Sequence, residues 1–402
     1  MDTYYKILNN PNTDNDRPFF YQKGLNTTSG YWEVFRGKSQ KSFFITQLEH
    51  IEEFYGSGTT LVTIKLPTDN LDLKMTKHDN YWRSNKIIIC EEYSLYDIAT
   101  YEKFGLDILK NKHIVNFASR NGNIDFLNWW LNSGLKLQYD KSLILDASSE
   151  GHINVLDWWL NSGLELQYND DPITMASMNG HVNVLDSWLN SGLELRYDYC
   201  AIDYASRSGH IHVLDWWVNS GLELRYSEFS ISSASDHGHL NVLDWWLNSG
   251  LEFKYDEHAI NCASSHGYLN ILDWWINSGL ELRYGKYAMV SASMYGHLNV
   301  LNWWLKSGLE LKYDAKAIDG AIQRNELECV KWWIKSGLLL KYTKNIIQWA
   351  CKKGHLDILD LWYDQGLKFD SVQTLLEVAT QNNRLKVLDW FRKKGFEEKI
   401  EE

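Results

Sequence analysis

Histidines recur on a 29-residue spacing along much of this 402-residue chain, at His152, His181, His210, His239, His297 and His355. Imidazole is the commonest protein metal ligand, so the first chemistry to weigh is a metal site. Spacing argues against it. Packed helices lie roughly 8–10 Å apart, whereas zinc holds its nitrogen ligands at about 2.0–2.1 Å. One imidazole per period cannot share an ion with the next, and no metal or other cofactor is predicted. The five cysteines, Cys90, Cys200, Cys262, Cys329 and Cys351, are scattered without a C-x-x-C pair, the usage of reduced thiols in an intracellular protein. "YGSGTT" at 55–60 lacks the lysine and glycine spacing of a phosphate loop and reads as a turn. No Ser/His/Asp or Cys/His set can be assembled from spacing, so no catalytic activity is expected.

The second candidate chemistry is aromatic. The chain holds 20 Trp, many in adjacent pairs such as Trp158/Trp159, Trp216/Trp217, Trp245/Trp246 and Trp274/Trp275. A ladder of exposed rings could grip a peptide or a sugar; buried rings would only fill a core. Core packing is the expectation. If one member of each pair is exposed it should be the first, because Ser187 and Leu361 replace that member while Trp188 and Trp362 remain. Acidic residues recur too, in one column at Asp157, Asp186, Asp215, Asp244 and Asp273 and in another at Glu165, Glu194, Glu223, Glu252, Glu281 and Glu310. The glutamates are followed two residues later by Arg196, Arg225, Lys254, Arg283 and Lys312. Each base should project from the same side of the extended chain as its glutamate; a solvated charged face is the default expectation, with pairing between neighbouring units as the alternative.

These columns imply a repeated element. With the glycine of "GH" as origin, equivalent positions fall at 122, 151, 180, 209, 238, 267, 296, 325, 354 and 383, ten units of 29 residues without an insertion. Alanine stands four residues before every origin, from Ala118 to Ala379, where a small side chain lets helices approach. Glycine stands twelve after it, from Gly134 to Gly395, suiting the left-handed residue just past a helix. Asp140, Asn169, Asp198, Ser227, Asp256, Asp314 and Thr343 occupy the N-cap position of a first helix that closes at the next origin. Pro172 falls in the first turn of one such helix, where it is tolerated. Ile153, Val155, Leu156, Trp158, Trp159 and Leu160 give the second helix a broad apolar face. "LELQY" then alternates as an extended strap, with Leu164, Leu166 and Tyr168 on one side. A helix pair this small cannot bury its face alone, so the units must stack into a solenoid.

Composition sets further bounds. Nearly all of the net charge of −12 lies beyond residue 92, which disfavours a nucleic-acid partner, since that affinity rests on Lys and Arg. No basic-then-apolar leader opens the chain and no run of about 18 apolar residues occurs, so neither secretion nor a membrane partner is expected. Residues 1–92 read as a small α+β domain: Thr46 and Glu49 form a capping box opening a helix with Leu48, Ile51 and Tyr55 on one face, while 61–66 and 85–90 read as strands. The aromatic run Tyr31, Trp32, Phe35, Phe43 and Phe44 reads as core. Residues 93–110 form a degenerate capping repeat, and 111–402 the array, closed by the polar "RKKGFEEKIEE".

The string A-S-x-x-G-H-x-x-V-L-x-x-x-L-x-x-S-G-L, as in "ASSEGHINVLDWWLNSGLEL", closely resembles the second half of an ankyrin repeat. The resemblance covers roughly 300 residues. Family units are longer and begin T-P-L-H, which none here does, so a short strap is expected in place of the family's β-hairpin finger. The stretch "FFITQLEHIEEFYGSGTTLVTIKLPTDNLDLKM" is similar to the region preceding the repeats in ankyrin proteins of giant DNA viruses of the mimivirus type. The resemblance implies a mainly α, ankyrin-like helix-pair solenoid after a small α+β domain. It also implies that the histidines brace loops and that exposed parts of the first helix and strap line a concave protein-binding surface. The residues that vary most, just before each origin or a few residues earlier, are the candidate contacts: Met178, Asn179, Asp203, Tyr204, Arg207, Asp236, His237, Asn261, His266, Met294, Tyr295 and Arg324. The expected protein is a monomeric, intracellular, non-enzymatic scaffold for a partner protein, a host protein if the viral likeness holds. An adaptor for degradation machinery and an enzyme in residues 1–92 are the alternatives. The chain ends soon after Gly395, leaving no room for a C-terminal F-box-like domain.

Overall fold

The computed structural model describes residues 3–9, 21–27, 42–140, 142–369 and 371–396. Tyr31, Trp32 and Phe35, and the last six residues of the expected polar cap, lie outside them. The chain divides into two compact units, residues 1–176 with 183–197, and residues 177–182 with 198–402.

The first unit opens with antiparallel sheets. β1 (Tyr4–Leu8), β4 (Thr60–Lys65), β7 (Lys86–Ser94) and β2 (Gly24–Thr27) pair in that order, and β3 (Phe43–Ile45), β6 (Trp82–Ser84) and β5 (Met75–Lys77) form a second sheet. Leu8, Phe43, Ile45, Val62, Ile64, Ile87 and Ile89 bury one core between them. Both expected strands are present, but the capping box is not. Leu48–Ser57 is a 3-10 helix whose N-cap is Gln47 rather than Thr46 and makes no side-chain cap bond, and the Thr46 hydroxyl donates to the Asn80 carbonyl. Ile51 and Tyr55 are buried as the apolar face requires, whereas Phe44 points outward and Phe43 inward. "YGSGTT" is the end of that helix and the turn into β4. Ile98–Phe104 follows β7 and ends at Gly105 with φ 63°, in phase with the later glycines.

Helix pairs fill the rest of both units. In the second unit the first helices are Cys200–Arg207, Phe229–Asp236, Glu257–His266, Tyr287–Met294, Lys316–Arg324, Ile346–Lys353 and Val372–Gln381. Their partners run from Ile211–Asn219 to Leu385–Lys393. Four expected caps form, Asp198, Ser227, Asp256 and Asp314 accepting from the amides of Cys200, Phe229, His258 and Lys316 at 2.8–3.1 Å, whereas Thr343 does not cap Ile346–Lys353, whose N-cap is Asn345 without a side-chain bond. Both glycine columns adopt positive φ, and where asparagine stands at the origin it does the same, Asn325 at 64° and Asn383 at 55°. Asparagine is the non-glycine residue best suited to that region. The invariant alanines of the array, Ala118 to Ala379, are fully buried.

Candidate protein-interaction surface

The second tryptophan of each pair is core, and it is also a fastener. Trp159, Trp188, Trp217, Trp246, Trp275, Trp304, Trp333 and Trp362 are at most 1% exposed. Each of the first seven donates its indole N–H to a buried serine hydroxyl on the preceding unit's first helix, forty residues back, from Ser119 to Ser293, at 2.7–3.3 Å. A buried N–H needs an acceptor, and the sequence keeps donor and acceptor matched. Where the acceptor column holds Ile322, Trp362 turns to the Lys368 carbonyl; where it holds Cys351, the donor itself is replaced by Phe391.

The first tryptophan is half-buried along the outer helices, as the substitution pattern predicts. It is no free ladder: Trp245, Trp274 and Trp303 donate to Asp215, Asp244 and Asp273 of the preceding unit at 2.6–2.7 Å. Ser187, standing where the ring is missing, donates to Asp157 in the same way. This aspartate column is therefore a ladder of acceptors, not merely a solvated face.

The straps form no strand among the described residues, but they clasp one another. Tyr226, Tyr255 and Tyr284 donate their hydroxyls to the carbonyls of Glu252, Glu281 and Glu310 in the next strap at 2.9–3.1 Å. Their rings pack against the next buried tryptophan at 4.7–5.2 Å. The alternative of charges pairing between units is corrected. Arg196 bonds Glu194 and Arg283 bonds Glu281 within one strap, because an extended chain puts residues two apart on one side. Toward the neighbouring unit, Lys254, Arg283 and Lys312 cap the tyrosine rings at 4.4–4.8 Å.

The rings of His152, His210, His239 and His297 lie over the preceding origin glycine. A methyl group on Gly209 would meet the His239 ring at 2.9 Å, and one on Gly267 the His297 ring at 2.7 Å. His210 and His239 also hydrogen-bond the backbone at Met178 and Arg207, and burial, with a nearby histidine adding to it, holds both imidazoles below their ordinary pKa. Bracing, as the family resemblance implies, is what the geometry provides. Among the described residues no group of three or more His, Cys, Asp or Glu could hold a metal ion.

With these columns committed to the stack, the variable residues before each origin remain. Asn179, His237, His266, Tyr295 and Arg324 are exposed, and Met178, Tyr204, Arg207, Asp236 and Met294 half-buried. Two expected contacts are not on this surface. Asp203 is 1% exposed and accepts from the Ser227 amide at 3.0 Å and from the hydroxyls of Ser227 and Ser230. Asn261 is 6% exposed and accepts from the Gly285 amide at 3.2 Å. Asp319 does the same for Thr343, so these Asp and Asn members of the column cap the next unit's first helix. Ser232 bonds within its own helix instead, and Val290 is part of the core.

Neighbouring row members touch across units. The Arg207 guanidinium donates to His237 at 3.3 Å, His266 pairs with Asp236 at 3.0 Å, and the Arg324 guanidinium lies 4.5 Å over the Tyr295 ring. Met294 fills the space that Gly320 leaves, where a methyl would meet it at 2.9 Å. The exposed aromatics that the repeat pattern did not point to include Tyr199, Phe229, Tyr287 and Trp349, 41–54% exposed. Phe229 meets Tyr204 edge-on, so it shares that face. Their signal was present, an aromatic at helix positions that the stack leaves polar in other units, and Trp349 is a tryptophan outside the paired column.

A family model described as "Ankyrin repeats (many copies)" matches residues 144–186. Three proteins of Acanthamoeba polyphaga mimivirus are similar. One, described only as uncharacterized, is 43% identical over 96 residues, 24% of this chain and 30% of that protein. Two named as ankyrin repeat proteins are 25% identical over 138 residues, 34% of this chain and 29% of that protein, and 29% identical over 101 residues, 24% and 30%. The matches thus span under a third of each relative's length. The ankyrin repeat domain of human ASB11 aligns at TM-score 0.37 and 15% identity over 44% of this chain and 90% of that domain, too distant to bear on the argument. No helix among the described residues is long and apolar enough to cross a membrane. Residues 144–186 thus match the ankyrin-repeat model, and the chain is similar to ankyrin-repeat proteins of a giant virus.

Proposed function

We propose that this chain is a non-enzymatic scaffold that binds a partner protein through the exposed residues of its first helices. One observation carries the reading. The inter-unit bonds recur almost without variation, while the exposed and half-buried positions just before each origin hold Met178, Asn179, Arg207, His237, His266, Met294, Tyr295 and Arg324. A stack needs no such variety there, and a binding face does. The exposed aromatics and arginines are the residue types that dominate protein interfaces. In this reading residues 1–92 are an appended domain, 93–110 cap the array and 111–402 form it, working as an intracellular monomer. The partner is a host protein, a point that rests on the likeness to mimivirus proteins.

The test replaces Met178, Tyr204, Arg207, His237 and Tyr295 together by alanine and compares the proteins retained by native and variant chains, with circular dichroism verifying the fold. Loss of the retained partner is expected. An unchanged set of partners would refute the assignment of this face.

A further inference from the structure

Charge is unevenly distributed along the row. Around the origins at 209, 238 and 267 the row carries both signs, Arg207, which donates to the His237 ring, and Asp236, which pairs with His266. On the first helices leading to the next three origins, at 296, 325 and 354, the exposed positions near the origin hold Tyr295, Gln323, Arg324, Trp349, Lys352 and Lys353, with no exposed carboxylate among them; the exposed Glu328 and Asp357 stand past their origins, on the second helices. Asp319, in the same stretch, is buried and spent on Thr343. No described carboxylate forms an ion pair with Arg324, Lys352 or Lys353. Two of these cations are instead held by rings, Arg324 over Tyr295 at 4.5 Å and Lys352 over Trp349 at 5.2 Å. A chain of net charge −12 thus presents a cationic, aromatic strip on one short part of its variable face.

We infer that this strip, Tyr295, Arg324, Trp349, Lys352 and Lys353, is the subsite that receives an acidic, extended segment of the partner protein. The inference rests on the proposed protein-binding role of the row. Arg324 and the Lys352/Lys353 pair are one unit apart, roughly 10 Å for packed helices. An extended peptide advances about 3.3 Å per residue, so carboxylates three residues apart match the cations, and apolar residues between them meet the rings. Nucleic acid fits less well. Its charge continues at about one per 1.7 Å, past the strip and along an acidic chain.

The probe is a fluorescein-labelled 15-residue peptide with Glu at every third position and Leu between, measured by anisotropy against the full chain at several salt concentrations. Its counterpart carries Gln for Glu. The Glu peptide is expected to bind at least tenfold more tightly than the Gln peptide and to weaken with salt. Arg324→Glu/Lys352→Glu/Lys353→Glu should lose that binding, whereas the strap variant Lys312→Glu should keep it. The all-alanine triple variant, a milder change, should weaken it at least threefold. Equal binding of the two peptides, or binding unaltered in both triple variants, overturns the inference. So does tighter binding of a 15-nucleotide RNA or of phosphatidylserine vesicles at the same salt. If the row variant loses its retained partner while the triple variants keep it, the acidic subsite fails and the binding face stands; if neither changes, both fail.

Discussion

Replacing Ser206 by alanine removes the acceptor that Trp246 uses at 3.0 Å. Both residues are at most 1% exposed, so water cannot take the serine's place. An orphaned buried donor costs about 1–3 kcal/mol. The serine hydroxyl's own bond to the Ile202 carbonyl is lost as well, but that carbonyl belongs to the helix ladder and loses least. In a stacked array the cost falls on one interface between units, so a single global unfolding energy is the wrong readout. Hydrogen exchange resolved by peptide is the right one: amides of Cys200–Arg207 and Leu240–Asn248 should exchange faster by about 5- to 150-fold, the rate equivalent of that energy. Trp246→Phe removes the donor and part of the ring, and costs packing as well. In the double variant the interface has neither donor nor acceptor, as at Cys351 and Phe391, so the second substitution should cost about 1–2 kcal/mol less than it does alone. Exchange within twofold of native in Ser206→Ala, or strict additivity in the cycle, would refute the fastener.

Gly209→Ala and Gly221→Ala both place a side chain at positive φ, 79° and 74°, costing about 1–2 kcal/mol each. Only the first also meets a ring, so its thermal midpoint should fall further, and Gly209→Asn should be milder than Gly209→Ala; equal losses for the two alanine variants would show that His239 yields freely. His239, with its pKa lowered chiefly by burial and then by His237, binds protons less readily folded than unfolded. Its contribution is therefore complete above the unfolded value of about 6.5 and is lost as pH falls through the lower folded value. His239→Gln should flatten the fall in thermal midpoint between pH 7 and pH 5, and an unchanged slope would contradict the argument. Burial pushes the thiols of Cys262, Cys329 and Cys351 up to about 12, so these three should stay silent to a thiol reagent at pH 8 until urea is added. Prompt reaction of all five cysteines in the native protein would count against that packing.

Much of this molecule is written in its sequence because the repeat prints each physical requirement ten times. Glycine twelve residues after every origin announced a left-handed residue, whereas the same need at the origin, met by asparagine at 325 and 383, emerged from the structure. The polar residues ahead of each first helix announced its cap, and Ser187 and Leu361 announced which tryptophan of a pair could be spared. These are local demands, satisfied within a turn or two of backbone. The expected capping box at Thr46 failed for the complementary reason, since the helix takes Gln47 as its N-cap and the threonine is held by Asn80, distant in sequence.

What the tertiary structure alone decided is where polar side chains find their partners. Asp203 and Asn261 looked like surface residues because their column varies, yet they turn inward to cap the next unit. The aspartates of the second helix looked solvated, yet they accept from a tryptophan thirty residues on. Glutamate and arginine of the straps could have paired across units but close on each other, leaving the tyrosine ring to face the neighbouring cation. Sequence period fixes which residues are equivalent. Only the packed distance between successive units determines whether a short polar side chain faces water or reaches the next helix, and that distance is set by the alanines and tryptophans of the core.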